Sequence, residues 1–366
     1  MLLKIGGLGI TAGQNCTAVG SAIPYSSLWT ITPTVSEIYI YALLLLLWRL
    51  RSRIPYARKI SLAGVLLLVL HFTWGLCFPS TSDSSHVSFL DVGQGMSSFL
   101  RLPDGSRILV DGGGNKKSRL NVGEQVIAPY LWKQRIWRLD QAVISHPHSD
   151  HFNGMDFILA HFKPKKLYIN GGIQNKGNYN DILAQAKQQG TDIIIPEAAR
   201  SIVQKNDFQL VVMGISGLSS NRYSSVSMND TSLIVQYTHG RRTFLLPADI
   251  TKKREKILLE KKTNMSADVL LAAHHGSVTS NSKPFLEAVK PSLIVVSAGK
   301  YGQRHYPSPT NLDLWQEKKI SVAITREEGT ITCTTDGNRL CCIGHKDRFS
   351  YSATTVSILL PSGSSK

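Results

Sequence analysis

The sequence predicts a layered α/β architecture, two β-sheets covered by helices, preceded by a transmembrane helical hairpin. Three observations carry this. Short β-type runs alternate with helical patterns from residue 86 onward. Two strongly apolar stretches flank a basic loop before that point. Histidines and carboxylates of the metal-ligating kind fall at the ends of apolar runs, the edge where α/β proteins place their chemistry.

Residues 38–48, IYIYALLLLLW, extend an apolar run that reaches back to Trp29. Residues 60–78, ISLAGVLLLVLHFTWGLCF, form a second run with His71 as its one ionisable side chain. A helix needs about 20 apolar residues to cross a bilayer, so spans are expected over about 29–48 and 60–78 of a membrane segment, residues 1–78. Between them RLRSRIPYARK carries Arg49, Arg51, Arg53, Arg58 and Lys59, the kind of excess that marks a cytoplasmic loop. The chain after residue 78 is then expected outside the cytoplasm. A core hairpin of a soluble domain is the competing reading, and five cations beside two Leu-rich runs suit it less well. His71, near the outer end of its helix, reads as an interfacial residue. Residues 1–28 lack the basic region and apolar core of a cleavable signal peptide, and the Ser-rich stretch 79–86 is a linker by composition.

Over residues 87–345 the strand candidates are, in order, VSFLDV, SSFLRLP, RILVDGG, QAVIS, KLYIN, DIIIP, FQLVVM, SLIVQYT, RTFLLPAD, ADVLLAA, SLIVVSAG, SVAIT, TITCTT and RLCCIG. The first three are hairpin-linked, with PDG at 103–105 as a turn. Helical patterns cover roughly 121–135, 152–162, 179–189, 251–262, 282–290 and 309–318. Residues 346–366 read as a Ser-rich tail in which VSILL could add an edge strand. The five cysteines, at 16, 77, 333, 341 and 342, show no paired metal-ligand spacing, so neither a zinc ribbon nor a disulfide framework is expected.

The chain of 366 residues has a net charge of +16. Six basic and two acidic residues give the first 85 positions +4, which leaves +12 on the remainder. That excess favours an anionic partner such as nucleic acid, another phosphate-bearing polymer or lipid headgroups.

Asp111 ends RILVD and is followed by three glycines that let backbone approach a ligand closely. The stretch ISHPHSDHFNG at 144–154 crowds His146, His148, Asp150 and His151 into the turn after QAVIS, with a helix expected from near Asp150. Side chains two apart before the helix can face one point, and those on its first turn a second point nearby. Asp249 ends RTFLLPAD, and His274 and His275 end ADVLLAA. Imidazoles with carboxylates suit zinc, manganese or iron and not a thiolate-dependent cluster. A lone histidine at a strand end is usually a satisfied surface or core residue; a set gathered at three strand ends is not read that way.

HPHSDH matches the H-x-H-x-D-H signature of the metallo-β-lactamase superfamily. Together with FLDVGQGMSSFLRLPDGSRILVDGGG, NDTSLIVQY, FLLPADI, DVLLAAHHGSVTSNSKPFL and YGQRHYPSP, it resembles the C-terminal domain of ComEC-type competence proteins, membrane channels for DNA internalisation. The resemblance covers about residues 35–340. Three positions depart from it: PAD stands where the family tends to have Gly before Asp249, Met96 where an acid is usual, and His148 where many members carry Asp. The family's channel and N-terminal module are not matched, so the chain reads either as a fragment or as a diverged stand-alone protein with a separate channel partner.

The resemblance implies a four-layer αββα sandwich with a site for two divalent ions, zinc or manganese. His146 and His148 would hold the first; Asp150, His151 and His275 would serve the second; and Asp249 would bridge, since its two oxygens can each bind one ion. Asp111 would orient a ligand imidazole. Asp150 and His274 would be the catalytic groups, with His274 donating to a phosphoryl oxygen or leaving group. His305 and Asn229 are candidates for substrate contact, beside plainer readings as a loop histidine and a turn cap. The wider superfamily supplies a further histidine to the first metal; here only His161 and His239 lie in that interval, at a helix end and a hairpin tip.

The expected activity is metal-dependent hydrolysis of a phosphodiester, a nuclease acting in DNA uptake. Lactam or thioester substrates fit the metal chemistry but give the basic charge no role. Two further readings stand beside it: a non-catalytic DNA-binding or assembly module, and a hydrolase of another phosphate ester such as a surface-polymer phosphocholine esterase.

Overall fold

The computed structural model describes residues 2–23, 29–77, 81–114, 120–172, 178–214, 227–299, 306–346 and 349–354. Three helices come first: α1 (Leu2–Ala22), α2 (Val35–Arg49) and α3 (Ala57–Cys77). The first half of the globular part then runs β1 (Ser85–Phe89), β2 (Ser98–Arg101), β3 (Arg107–Val110), α4 (Ala128–Lys133), β4 (Gln141–Ile144), α5 (Ser149–Phe152), α6 (Met155–Phe162), β5 (Lys166–Ile169), α7 (Tyr179–Gln188) and β6 (Asp192–Ile194). Next come β7 (Ala199–Gln204), β8 (Phe208–Met213), β9 (Ile234–His239), β10 (Arg242–Leu246), α8 (Lys252–Glu260), β11 (Val269–Leu271), α9 (Lys283–Val289) and β12 (Leu293–Val296). The chain closes with α10 (Pro309–Glu317), β13 (Ser321–Ile324), α11 (Thr325–Glu328), β14 (Ile331–Thr335), β15 (Arg339–Gly344) and β16 (Ser350–Thr354).

The strands form two sheets. One has the order β16-β15-β14-β1-β2-β3-β4-β5-β6 and the other β13-β12-β11-β10-β9-β8-β7. In the first, β1, β2 and β3 pair antiparallel while β3 to β6 run parallel; in the second, β10 to β13 run parallel. The alternation of side chains along each strand sorts the core into three layers. Phe89, Leu100, Val143, Val235, Phe244 and Val295 pack between the sheets. Leu131, Trp132, Ile158 and Phe162 of α4 and α6 cover the outer face of the first sheet. Leu258, Phe285 and Trp315 of α8, α9 and α10 cover that of the second. Helix, sheet, sheet, helix is the expected layering.

Several expectations are corrected. The first apolar run is not one helix from Trp29. Trp29 stacks on Trp132 with ring centroids 5.1 Å apart, Thr32 donates its N–H to the Trp132 carbonyl at 3.3 Å, and Ile31 is buried. An aromatic-rich start to an apolar run has found an aromatic surface on the domain. Helix α2 begins only at Val35, where Thr34 and Glu37 exchange hydrogen bonds at 3.2 and 2.7 Å as a capping box. Its 15 residues extend about 22 Å, against a hydrocarbon core of about 30 Å. Among the described residues no helix is long and apolar enough to cross a membrane. The structure shows a helical pair, α2 beside α3, tied to the domain by Arg135 on Glu37 at 3.0 Å, with His71 3.6 Å from the same carboxylate.

A disulfide not expected from the spacing joins Cys333 to Cys342. These residues are directly opposed on β14 and β15, and only the register of that hairpin brings them together. Within the expected linker, residues 85 and 86 already belong to β1; within the expected tail, Ser350–Thr354 pair with β15 as an edge strand. VSILL lies outside the described residues.

Candidate metal centre

Parallel pairing in both sheets sends β3, β4, β10 and β11 to the same edge of the sandwich, and the ligand-type residues follow their ends. Asp111 comes directly after β3 and Ser145–His151 after β4; Asp249 follows β10, and His274 and His275 follow β11. Four of the turning residues, Asp111, Ala248, His274 and His275, have φ of 60°, 52°, 50° and 56°. The left-handed region costs a non-glycine residue on the order of 1 kcal/mol, so the chain is held there against its local preference. Ala248, directly before Asp249, holds a backbone conformation that favours glycine.

Two clusters converge on Asp249. One combines Asp150, His151, Asp249 and His275, the other His146, His148 and Asp249; within each, the ligand atoms lie within 4.8 Å of one another. Oδ1 of Asp249 is 3.2 Å from His151 Nε2 and 3.9 Å from His275 Nε2. Oδ2 is 4.0 Å from His146 Nε2 and 3.6 Å from His274 Nε2. Asp150 closes its cluster with Oδ2 3.3 Å from His275 Nε2. His146 Nε2 and His148 Nδ1 face each other at 3.0 Å.

The remaining ring nitrogens are pinned from behind. His151 Nδ1 donates to Asp111 Oδ2 at 2.8 Å, and His275 Nδ1 to the Ser297 carbonyl at 2.9 Å. Ser145 gives Asp111 both its N–H, at 2.7 Å, and its hydroxyl, at 2.8 Å, and its oxygen lies 3.1 Å from His146 Nδ1. This holds the rings in place and aims the Nε2 atoms of His146, His151 and His275 inward. His151 Nε2 and Asp249 Oδ1 are both buried with no hydrogen-bond partner. They face each other at 3.2 Å across the cluster of Asp150, His151 and His275 as an ion pair without hydrogen-bond geometry. A divalent cation satisfies both, and imidazole with carboxylate is a donor set that suits one. The residues fit a metal.

The charges agree. Burial opposes charging of His151, but the carboxylates of Asp249 and Asp111 outweigh it and hold the imidazole well above its usual range. Burial likewise opposes charge on Asp249, and the surrounding imidazoles, His151 first, drive its carboxyl well below the usual range. Asp150 is lowered against burial by its bond to His275. Burial pushes His146, His148 and His274 downward, so these imidazoles stay neutral. The centre is thus already an array of opposed charges, the pattern that marks functional sites.

The substrate candidates divide. His274 is half-buried beside the clusters, with Nδ1 3.2 Å from Thr279 Oγ1 and Nε2 3.5 Å from the Asn229 amide nitrogen. Asn229 is therefore at the site. Its neighbour Asp230 is structural: one carboxylate oxygen accepts both the N–H and the hydroxyl of Thr251 at 2.8 Å. His305 lies outside the described residues. His161 is exposed and stacks on Phe157, and His239 is buried against Ser85 Oγ at 2.7 Å. Neither joins the site, so among the described residues the His146–His148 cluster keeps two histidines and the shared Asp249.

Sequence reasoning missed Ser145, Ser297 and Tyr306. Ser145 was findable from its place between the strand and the first histidine. Ser297 acts through its carbonyl, which no side-chain pattern reveals. The Tyr306 ring sits 5.6 Å from that of His275 and 6.1 Å from that of His274, from a position about 30 residues further along the chain.

The metallo-β-lactamase superfamily pattern matches residues 90–299, more than half of the chain. ComE operon protein 3 of Bacillus subtilis (strain 168) is 29% identical over 311 residues, which cover 82% of this chain and 39% of that protein. Recombination protein 2 of Haemophilus influenzae is 27% identical over 266 residues, 72% of this chain and 31% of that protein. Competence protein ComA of Neisseria gonorrhoeae is 28% identical over 227 residues, 62% of this chain and 29% of that protein. The chain thus matches well under half the length of each. The resemblance to ComEC-type competence proteins is borne out by these relatives.

Proposed function

Because this chain belongs to the metallo-β-lactamase superfamily, we propose that it is a metal-dependent hydrolase that cleaves phosphodiester bonds of DNA in competence-related uptake. The observation that carries the reading is Asp249, buried, with Oδ1 turned to the Asp150–His151–His275 cluster and Oδ2 to His146. His146, His148 and Asp249 would hold one divalent ion, zinc or manganese, and Asp150, His151, His275 and Asp249 the other. Bound there, such ions would supply Lewis acidity toward a phosphoryl group and lower the pKa of water.

The chain's own residues do the rest. Asp111 and the Ser297 carbonyl keep the two ligand imidazoles oriented. His274 and Asn229, side by side at the rim, are placed to contact a phosphoryl oxygen. The net charge of +16 suits a polyanionic substrate such as DNA, and the name of one relative, a competence protein, supports a role in competence. The reading includes anchorage of the chain in a membrane by α2 and α3, with the domain outside the cytoplasm and a channel protein as partner. It is supported by exposed Leu43, Leu45, Leu46, Leu66 and Leu67 on those helices and by the basic turn between them.

A second reading, a non-catalytic DNA-binding module, is favoured by the three-residue cluster of His146, His148 and Asp249 alone. The experiment that decides is incubation of the purified chain with single-stranded DNA and added Mn²⁺ or Zn²⁺. Cleavage that a chelator stops and His148→Ala abolishes is the expected result; strong cleavage without metal, or none with it, would refute the hydrolase.

A further inference from the structure

We propose that the lysine face of α8 is the track along which a nucleic-acid strand lies as it enters the metal centre. This rests on the hydrolase reading above and adds the surface that holds the polymer. Helix α8 starts three residues after Asp249. Thr251 caps it, Lys252 donates its N–H to the Thr279 carbonyl at 2.9 Å, and the Thr279 hydroxyl lies 3.2 Å from His274. The first turn of the helix therefore forms one side of the site's rim.

From that rim Lys252, Lys253 and Lys256 are exposed on α8, and Lys261 and Lys262 are exposed just past its end. Residues four apart on a helix lie about 6 Å from each other along one face, so Lys252 and Lys256 line up, with Lys253 beside them. The acids do little to cancel them. Glu255 is buried, and its carboxylate accepts the N–H groups of Asn281 and Ser282 at 2.5 and 2.9 Å. Glu260 alone is exposed on the helix, 3.9 Å from Lys256. A small phosphate ester would have no use for a row of cations leading away from the site, whereas a phosphodiester polymer carries one charge for each.

A lipid surface is the other polyanion to weigh, and the layers of the fold argue against it. The apolar pair α2–α3 attaches on the side of Trp132 and Arg135, over the first sheet. Helix α8 covers the outer face of the second. Both sheets stand between them.

The test uses the full, metal-loaded chain and a labelled single-stranded phosphorothioate oligonucleotide, which keeps its charge and resists hydrolysis. Lys252, Lys253 and Lys256 are replaced together by Gln. In a control, Lys163, Lys165 and Lys166, exposed where β5 begins at the opposite end of the strands, are replaced in the same way. Anisotropy titrations over a salt series should show weaker binding by the α8 variant, with a slope of log K against log salt lower by about 2, at roughly 0.7 per phosphate contact. The control should change the slope much less. Equal loss in both variants, or an unchanged slope in the α8 variant, would overturn the track. So would α8-dependent binding to phosphatidylglycerol vesicles with oligonucleotide binding intact. Binding through α8 without any cleavage of ordinary DNA would remove the hydrolase and leave the track standing.

Discussion

At the scale of single residues, the centre is a set of imidazoles held from behind so that their free nitrogens meet one carboxylate. Asp111 illustrates this, since it touches Ser145 twice and His151 once and reaches no other member of either cluster. Replacing such an orienting partner typically costs 10- to 100-fold in metal affinity. Asp111→Asn is therefore expected to weaken metal binding by about that factor, read by competition with a chromophoric chelator, while the folded signal in circular dichroism persists. The proton balance gives a second expectation. His151 and His275 are raised by neighbouring carboxylates against the pull of burial, so the metal-free chain holds protons there above the ordinary imidazole value of about 6.5. Those protons stabilise the metal-free fold below that value, and the contribution is lost as pH rises through the raised pKa values. A metal needs the neutral ring, so its apparent affinity should climb with pH and still be climbing above neutrality. Calorimetric titrations in buffers of different ionisation heat should register proton release on binding at pH 7; a pH-independent affinity would contradict the assignment.

At the scale of elements, the histidine turn is positioned by backbone packing as much as by side chains. A Cβ on Gly154 would stand 2.3 Å from the Gly112 carbonyl oxygen and 2.7 Å from the Gly123 nitrogen, and neither can retreat as a flexible side chain would. Gly154→Ala is expected to cost about 1–3 kcal/mol by overpacking, seen as a lower midpoint in urea. The same scale explains what the sequence disclosed. Central strands such as β4 and β12 are buried on both faces and read as short apolar runs. The strands that escaped notice, β7 and β16, are sheet edges with mostly exposed residues, ARSIVQ and SYSAT, and so carry no apolar signal. The ligand residues were legible because parallel strands bring their ends to one edge whatever the loops do. The Cys333–Cys342 bond was not, because opposition across a hairpin depends on register. Nor was the docking of Trp29, because an aromatic-rich apolar run reads alike whether its partner is lipid or protein.

At the scale of the whole molecule, the two sheets act as a clamp. His146, His148, Asp150 and His151 come from the first and Asp249, His274 and His275 from the second, so neither half alone assembles the centre. Folding and metal binding are coupled for that reason: ions that bridge the sheets bind the folded chain and not the unfolded one. Asp249 is the residue both clusters share, and counting the ions it holds is the most direct test. Equilibrium dialysis of the purified chain against Mn²⁺ or Zn²⁺, followed by elemental analysis, should find two ions per chain in the native protein, and in Asp249→Ala the loss of both, or one held weakly. A native chain that takes up a single ion or none, or an Asp249→Ala variant that still holds two, would contradict a paired centre bridged by this carboxylate.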